Sequence, residues 1–262
     1  MNNYIRKFLL VTALYFLLSQ ALISQEIVIL CSENYRPYSY YDKNNTARGI
    51  YPEILEELFA RADLPLHVEL MPFKRVLLSL GQGYADGMAG VFYTEERARY
   101  SNYLLDVPLS HISNSLFTLK DSSLSSSEMK ELEGLSLGRK RGFFVSTEFN
   151  EAAELRLFSL IEAESVDQLI HMTLSGRLDG FAHTTNNALY HIEALSLEDK
   201  IKNFPISHGE ESTRKTYLAL TRSKPQFWTK EKIALLTLKL KEMERDGTIE
   251  AIYARNGVSY DG

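Results

Sequence analysis

The sequence predicts an α/β protein of two similarly wired lobes, with two chain crossovers and a cleft between the lobes. Three observations carry this reading. Strand-like and helix-like stretches alternate from residue 27 to residue 91. A Gly-x-x-Asp-Gly turn at 83–87 recurs at 176–180, each time after an amphipathic helix and before a small-residue strand. A strand-like run at 215–220 then precedes a long amphipathic helix, as if the chain returned to the first lobe. Alternating order of this kind builds mostly parallel sheets flanked by helices.

Glu26 to Cys31 is a buried first strand, because Ile27, Val28, Ile29 and Leu30 follow one another without alternation. A loop from Ser32 to Tyr41 follows, dense in tyrosine (Tyr35, Tyr38, Tyr40, Tyr41), and residues 42–46 form a turn. Gly49 to Ala62 is a helix with Ile50, Ile54, Leu55, Leu58 and Phe59 inward, and Leu66 to Leu70 alternates as a second strand. Phe73, Val76, Leu77 and Leu80 share one face of the next helix, which Gly81 and Gly83 stop. Asp86 to Val91 is a short strand whose Gly87 and Gly90 leave peptide N–H groups uncovered. Thr94 caps a new helix that carries Arg97 in its first turn. N–H groups at a helix start with an arginine one turn in are suited to hold an anion; the alternative is a surface arginine paired with a nearby glutamate.

Ser110 to Leu119 is β-like, and the first crossover is placed near Ser115. A short helix is expected at 128–133 and a strand at 135–137. Gly138 to Phe144 is then a strand-to-helix turn with three consecutive cations, Arg139, Lys140 and Arg141. Helices are expected at 149–160, at 165–175 and from His183 to Ala194, and Phe204 to His208 crosses back. Thr229 to Arg245 and Ile249 to Asn256 are the last two helices.

Composition narrows the function. With 262 residues, 45% hydrophobic and 24% charged, the chain is an ordinary globular protein. A net charge of −5 with no basic run argues against nucleic acid. Met1 to Ser24 reads as a secretory signal: Arg6 and Lys7, an apolar run from Phe8 to Leu22, and a small-x-small site at Ser19-Gln20-Ala21 or an end at Ser24. That run is short of the roughly 20 residues of a membrane span, which favours a cleaved signal over an anchor. Cys31 is the only cysteine, so no intramolecular disulfide forms. Bulky Ile29 and Leu30 before it disfavour lipid attachment, and it reads as a buried thiol. The six histidines show no metal spacing, and no cofactor is expected.

The stretch from Gly83-x-x-Asp86 through the small-residue strand to Thr94-x-x-Arg97 resembles the ligand loop of type II periplasmic solute-binding proteins, family 3, the polar amino-acid-binding type of the ABC-transporter substrate-binding domains. The resemblance extends to Ser32–Tyr38, to Gly49–Ile54, and to Leu240–Tyr253, which is similar to the family's C-terminal signature. It implies a periplasmic-binding-protein-like type II fold: residues 25–114 and 209–262 in lobe 1, 115–208 in lobe 2. It implies that Arg97 clamps a ligand carboxylate, that Tyr35 packs on the ligand, and that Gly90 and Phe92 line the loop, with Phe73 a weaker candidate. From the second lobe, Arg141, Gly142, Phe143 and Thr184 would close on the ligand. Of the three cations, Arg141 is the one expected to face the cleft.

Two departures bear on the ligand. Amino-acid binders carry an aspartate for the ammonium group where this chain has Thr184. The Asp86-to-Arg97 spacing, eleven positions, is one shorter than in those relatives, and Gly90, Val91, Phe92 and Tyr93 replace carboxylate-binding serines. The expected function is therefore capture of a small anionic or amino-acid-like solute by hinge closure in the periplasm. The protein would act as a monomer that serves an ABC permease or a membrane sensor. An enzyme similar to the cyclohexadienyl dehydratases of this fold is the alternative, disfavoured because no paired carboxylates sit near Arg97 beyond Glu95 and Glu96.

Overall fold

The computed structural model describes residues 26–206 and 214–260. The signal expected at 1–24 and part of the return expected at 204–208 lie outside the described residues. Among those described, no helix is long and apolar enough to cross a membrane.

The chain opens with β1 (Ile27–Ser32), a small hairpin of β2 (Tyr40–Tyr41) and β3 (Ala47–Arg48), then α1 (Ile50–Arg61) and β4 (Leu66–Met71). Next come α2 (Phe73–Gly81), β5 (Gly87–Phe92), the single-turn α3 (Glu95–Ala98), β6 (Ser101–Tyr103) and β7 (Ser110–Ile112). The middle of the chain supplies β8 (Asn114–Leu119), β9 (Ser136–Lys140), α4 (Thr147–Glu154), β10 (Ser159–Ala163), α5 (Val166–Leu174), β11 (Gly180–Thr184), α6 (Thr185–Ala194) and β12 (Ile201–Ile206). It ends with β13 (Arg214–Thr221), α7 (Lys230–Arg245) and α8 (Thr248–Arg255).

Two sheets form two lobes. The first runs β4-β1-β5-β13-β6, with β7 also on β13; the second runs β10-β9-β11-β8-β12. The central pairs β1–β4, β1–β5, β9–β10 and β9–β11 are parallel. β1 is covered on both faces, which is why its sequence runs apolar without alternation: Ile27, Ile29, Leu30 and Cys31 are buried. α1 lays Ile54, Leu55 and Leu58 on this core, each fully buried and worth about 1.5–3 kcal/mol. β7 ends at Ile112 and β8 begins at Asn114, so the single apolar run read at 110–119 is two strands in different sheets with Ser113 between them. β13, on the far side of residues 207–213, carries the chain back into the first sheet beside β5.

The repeated Gly-x-x-Asp turn does the same work in both lobes. Asp86 donates its amide to the Val28 carbonyl at 2.9 Å and accepts the Val28 amide on its carboxylate at 2.9 Å. Asp179 does likewise with Ser136, at 2.8 and 2.7 Å. Each aspartate thus pins its turn to the parallel neighbour of the strand that follows, β1 for Asp86 and β9 for Asp179.

Four stretches depart from the sequence reading. His183 and Thr184, expected to open a helix, end β11 instead, and α6 begins at Thr185. The helix expected at 149–160 stops at Glu154, because Arg156 turns into the left-handed region (φ 59°), and Ser159–Ala163 is the edge strand β10. Arg139 and Lys140 belong to β9, not to a turn. The helix expected at 128–133 is one 3-10 turn, Met129–Glu131.

Candidate functional site

Where the lobes face each other, four aromatic rings enclose a cavity of about 50 Å³. Tyr35 and Phe92 come from the first lobe, Phe143 and Phe144 from the second, with Ile112, Asn114, Thr184 and Arg214 completing the wall. A volume of that size holds one or two waters, so the lobes are close together here. Larger grooves, about 460 Å³ near Tyr41 and His67 and about 330 Å³ near Phe117 and Leu189, each lie on a single lobe.

Cross-lobe bonds hold the approach. The Tyr35 hydroxyl donates to Thr184 Oγ1 at 3.3 Å. Asn186 Nδ2 donates to the Tyr38 hydroxyl at 3.1 Å, and Asn187 Nδ2 to the Arg36 carbonyl at 2.5 Å. The Arg36 guanidinium sits 3.4 Å from the ring centre of Tyr40 and 5.4 Å from that of Tyr190, so it bridges an aromatic of each lobe. The tyrosine-rich loop therefore docks on the start of α6. Tyr35, Tyr38 and Tyr51 stack in a row, with centroids 4.9 and 5.4 Å apart. Burial pushes the Tyr35 phenol up to about 12, against the opposing effect of its bond to Thr184.

Two arginines meet around Phe92. Thr94 caps α3 by accepting the Arg97 amide at 3.2 Å. The Arg97 side chain then turns back, and its Nη1 donates to the Phe92 carbonyl at 3.0 Å, an oxygen that also accepts from the Tyr103 hydroxyl at 3.1 Å. Its guanidinium lies 5.9 Å from the ring centre of Phe73. Arg214 opens β13, anchored there by the Arg214–Ile112 pairing with β7. Its guanidinium covers the Phe92 ring at 4.1 Å and reaches toward Phe144 at 5.7 Å. Among the described residues neither arginine has a carboxylate within 4.0 Å. Glu95 instead accepts from the Tyr93 hydroxyl at 3.2 Å. Burial, and then repulsion from Arg97, pulls the Arg214 guanidinium below its ordinary value. An arginine has five N–H donors, and Arg97 uses one of them on Phe92.

The second lobe supplies a neutral wall. His183 Nε2 lies 2.7 Å from Asn187 Oδ1. Because Asn187 Nδ2 already donates to Arg36, its Oδ1 must accept, so Nε2 carries the proton. His183 Nδ1 is then a buried acceptor without a partner among the described residues, as is Asn114 Oδ1. Phe143 leans on the imidazole at 4.6 Å. Burial drives His183 down to about 3, only partly countered by the bond to Asn187.

Of the sequence candidates, Tyr35, Phe92, Phe143 and Thr184 line the cavity, and Arg97 stands behind Phe92. Phe73 is exposed at 38% beside Arg97. Gly90 sits elsewhere: its backbone is left-handed (φ 75°) at a bulge opposite β13, and a Cβ there would strike the Tyr51 ring. Arg141 does not line the cavity; it pairs with Glu164 at 2.9 Å, both side chains largely exposed, because β10 brings Glu164 alongside. Gly142 is exposed at the mouth, opposite the Lys74 side chain of α2. The reading missed Arg214, Asn114 and Phe144. Arg214 carried one usable signal: it precedes the strand that returns to the first lobe, at the lobe junction.

Comparison with known proteins fits this geometry. The sequence model of the family described as bacterial extracellular solute-binding proteins, family 3, matches residues 27–258. No curated protein sequence matches the chain. Among solved structures, a histidine kinase sensor domain with similarity to periplasmic binding proteins aligns with a TM-score of 0.71 at 18% identity, over 90% of this chain and 98% of that one. An ancestral arginine-binding protein bound to arginine aligns at 0.69 and 18%, over 90% and 98%. A structure from the glutathione import system of Streptococcus mutans aligns at 0.70 and 20%, over 90% and 97%. At such identities these likenesses speak for the two-lobe fold.

Proposed function

Because this chain belongs to the bacterial extracellular solute-binding proteins, family 3, we propose that it captures a small anionic solute between its lobes and delivers it to an ABC-type permease from the periplasm. One observation carries the choice of charge: Arg97 and Arg214 converge on Phe92 with no carboxylate partner among the described residues, and the aromatic cavity beside them has no Asp or Glu in its wall. An α-amino acid would find partners for its carboxylate but none for its ammonium group, since the buried Thr184 stands where a carboxylate would be needed. Arg97 is preset by the Phe92 carbonyl and presents its remaining N–H groups to the ligand. Tyr35, Phe92 and Phe143 exclude water, which strengthens charge pairing inside the closed cleft. The protein is read as a binder, since His183, buried behind the wall, is held neutral and engaged with Asn187, and the Tyr35 phenol in the wall is held protonated by burial.

Calorimetric titration against carboxylic acids, amino acids, sugars and short peptides tests this. An anionic hit that Arg97→Gln weakens about tenfold or more supports the reading. Preferred binding of a neutral or cationic solute, unaffected by Arg97→Gln, refutes it. The likeness to a histidine kinase sensor domain favours a second reading, in which the closed form signals to a membrane receptor. Ligand-stimulated ATP hydrolysis by the permease in proteoliposomes separates uptake from signalling.

A further inference from the structure

Resting on that reading, we infer that the solute is a small dicarboxylate, with one carboxylate on Arg97, the other on Arg214, and the carbon skeleton against Phe92. The argument is one of charge balance at a named place. Arg97 is tied to the main-chain carbonyl of Phe92 at 3.0 Å, and Arg214 lies over the ring of the same residue at 4.1 Å. Phe92 thus stands as an apolar spacer between two cations, each with N–H donors to spare. Both guanidiniums are partly withdrawn from solvent. Two cations so close, without a carboxylate partner among the described residues, are costly when the lobes shut, and one carboxylate would leave the pair with a net positive charge. The surroundings add to the imbalance: Lys74 of α2 reaches the cleft mouth at Gly142, and Lys140 of β9 contributes positive field at His183. Neither lysine has a carboxylate partner among the described residues. A ligand bearing two negative charges neutralises the arginine pair and lets the aromatic walls close.

The skeleton is constrained too. The enclosed cavity, about 50 Å³, is small, so the ligand must replace the contact of Tyr35 with Thr184 or part the lobes slightly to enter. A short, unbranched or flat skeleton between Phe92 and the Tyr35–Phe143 walls meets both requirements, whereas a branched or sugar-sized one does not.

The test is calorimetric titration of the purified protein with succinate, glutarate, adipate and isophthalate, each beside its monomethyl ester. The expected result is that at least one diacid binds about 10- to 100-fold tighter than its ester, the range set by one charge-assisted pair. Arg97→Gln and Arg214→Gln should each abolish that margin, while Arg214→Lys, which keeps the charge, retains most of it. Unchanged melting temperatures show that the variants fold. Equal affinity of diacid and ester, a margin that survives Arg214→Gln, or no diacid binding at about 1 mM overturns the dicarboxylate. If esters bind as tightly as diacids and Arg97→Gln weakens both, the inference falls and the anionic-solute reading stands. If only uncharged or cationic solutes bind, both fall.

Discussion

Replacing Gly90 with alanine separates packing from ligand contact at one position of the cleft strand. Gly90 has φ 75°, a conformation that costs an L-residue about 1–2 kcal/mol. The added Cβ would also meet the ring of Tyr51, which is fully buried and fixed by hydroxyl bonds to Ser110 at 2.7 Å and Thr216 at 3.2 Å. A ring held in this way cannot retreat freely, and overpacking of this kind costs about 1–3 kcal/mol. The sum is about 2–5 kcal/mol, read as a lower denaturation midpoint in urea. In a Tyr51→Ala background the overlap is gone, and Gly90→Ala should cost only the backbone part, about 1–2 kcal/mol. The same cost in both backgrounds would refute the packing argument. Wild-type stability with a selective loss of ligand affinity would refute it as well, and would restore Gly90 to the ligand surface.

Three other outcomes are expected. His183 is held near 3 against an ordinary 6.5, so the unfolded chain binds the extra proton and stability falls as pH drops from about 6.5 toward 3. From pH 7.5 to 5 the loss from this residue is about 2 kcal/mol; His183→Gln should flatten that slope in denaturation curves, and an unchanged slope would count against the burial argument. Asp86→Ala should cost about 2–4 kcal/mol, because it removes a buried carboxylate that binds the part-buried Val28 amide and Lys224 ammonium. Asp179→Ala, at an exposed turn, should cost about 1 kcal/mol, so equal losses in thermal melts would contradict the assigned roles. Finally, Tyr35→Phe combined with Asn187→Ala removes two cross-lobe bonds and should raise the radius of gyration of the ligand-free protein in X-ray scattering; an unchanged radius would mean these bonds do not hold the lobes.

The sequence was most legible where one local rule decides the structure. Thr94 followed by two glutamates marks a helix start, and the Thr94 hydroxyl caps Arg97 as that pattern implies. The unbroken Ile27–Leu30 run marks a strand buried on both faces. It was least legible where a non-glycine residue takes a glycine's conformation. Arg156, Ser196 and Asp63 all have positive φ, and Arg156 ends α4 six residues before the helix its apolar spacing implies. In the site, Tyr35, Phe92, Phe143 and Thr184 were legible because they lie in stretches that resemble the loops of the solute-binding family, and they line the cavity. Arg214 was not, because only the strand order puts it over Phe92, a residue more than 100 positions away in sequence. Arg141 is drawn away from the cleft because β10 carries Glu164, the residue after its end, alongside it. Three adjacent cations look alike until the neighbouring chain supplies counter-charges, as Glu162 of β10 does for Arg139 and Glu164 just beyond it does for Arg141.

Cys31 sits next to the end of β1 with no exposed surface, and burial holds its thiol strongly in the protonated form. As the only cysteine in the chain, it leaves the surface blank to maleimide chemistry. A pair of fluorophores attached through cysteines introduced at Leu78 and Leu155, both exposed and on different lobes, would therefore report their separation without background labelling. The lobe closure proposed above can thereby be followed one copy at a time, in the native sequence but for two positions.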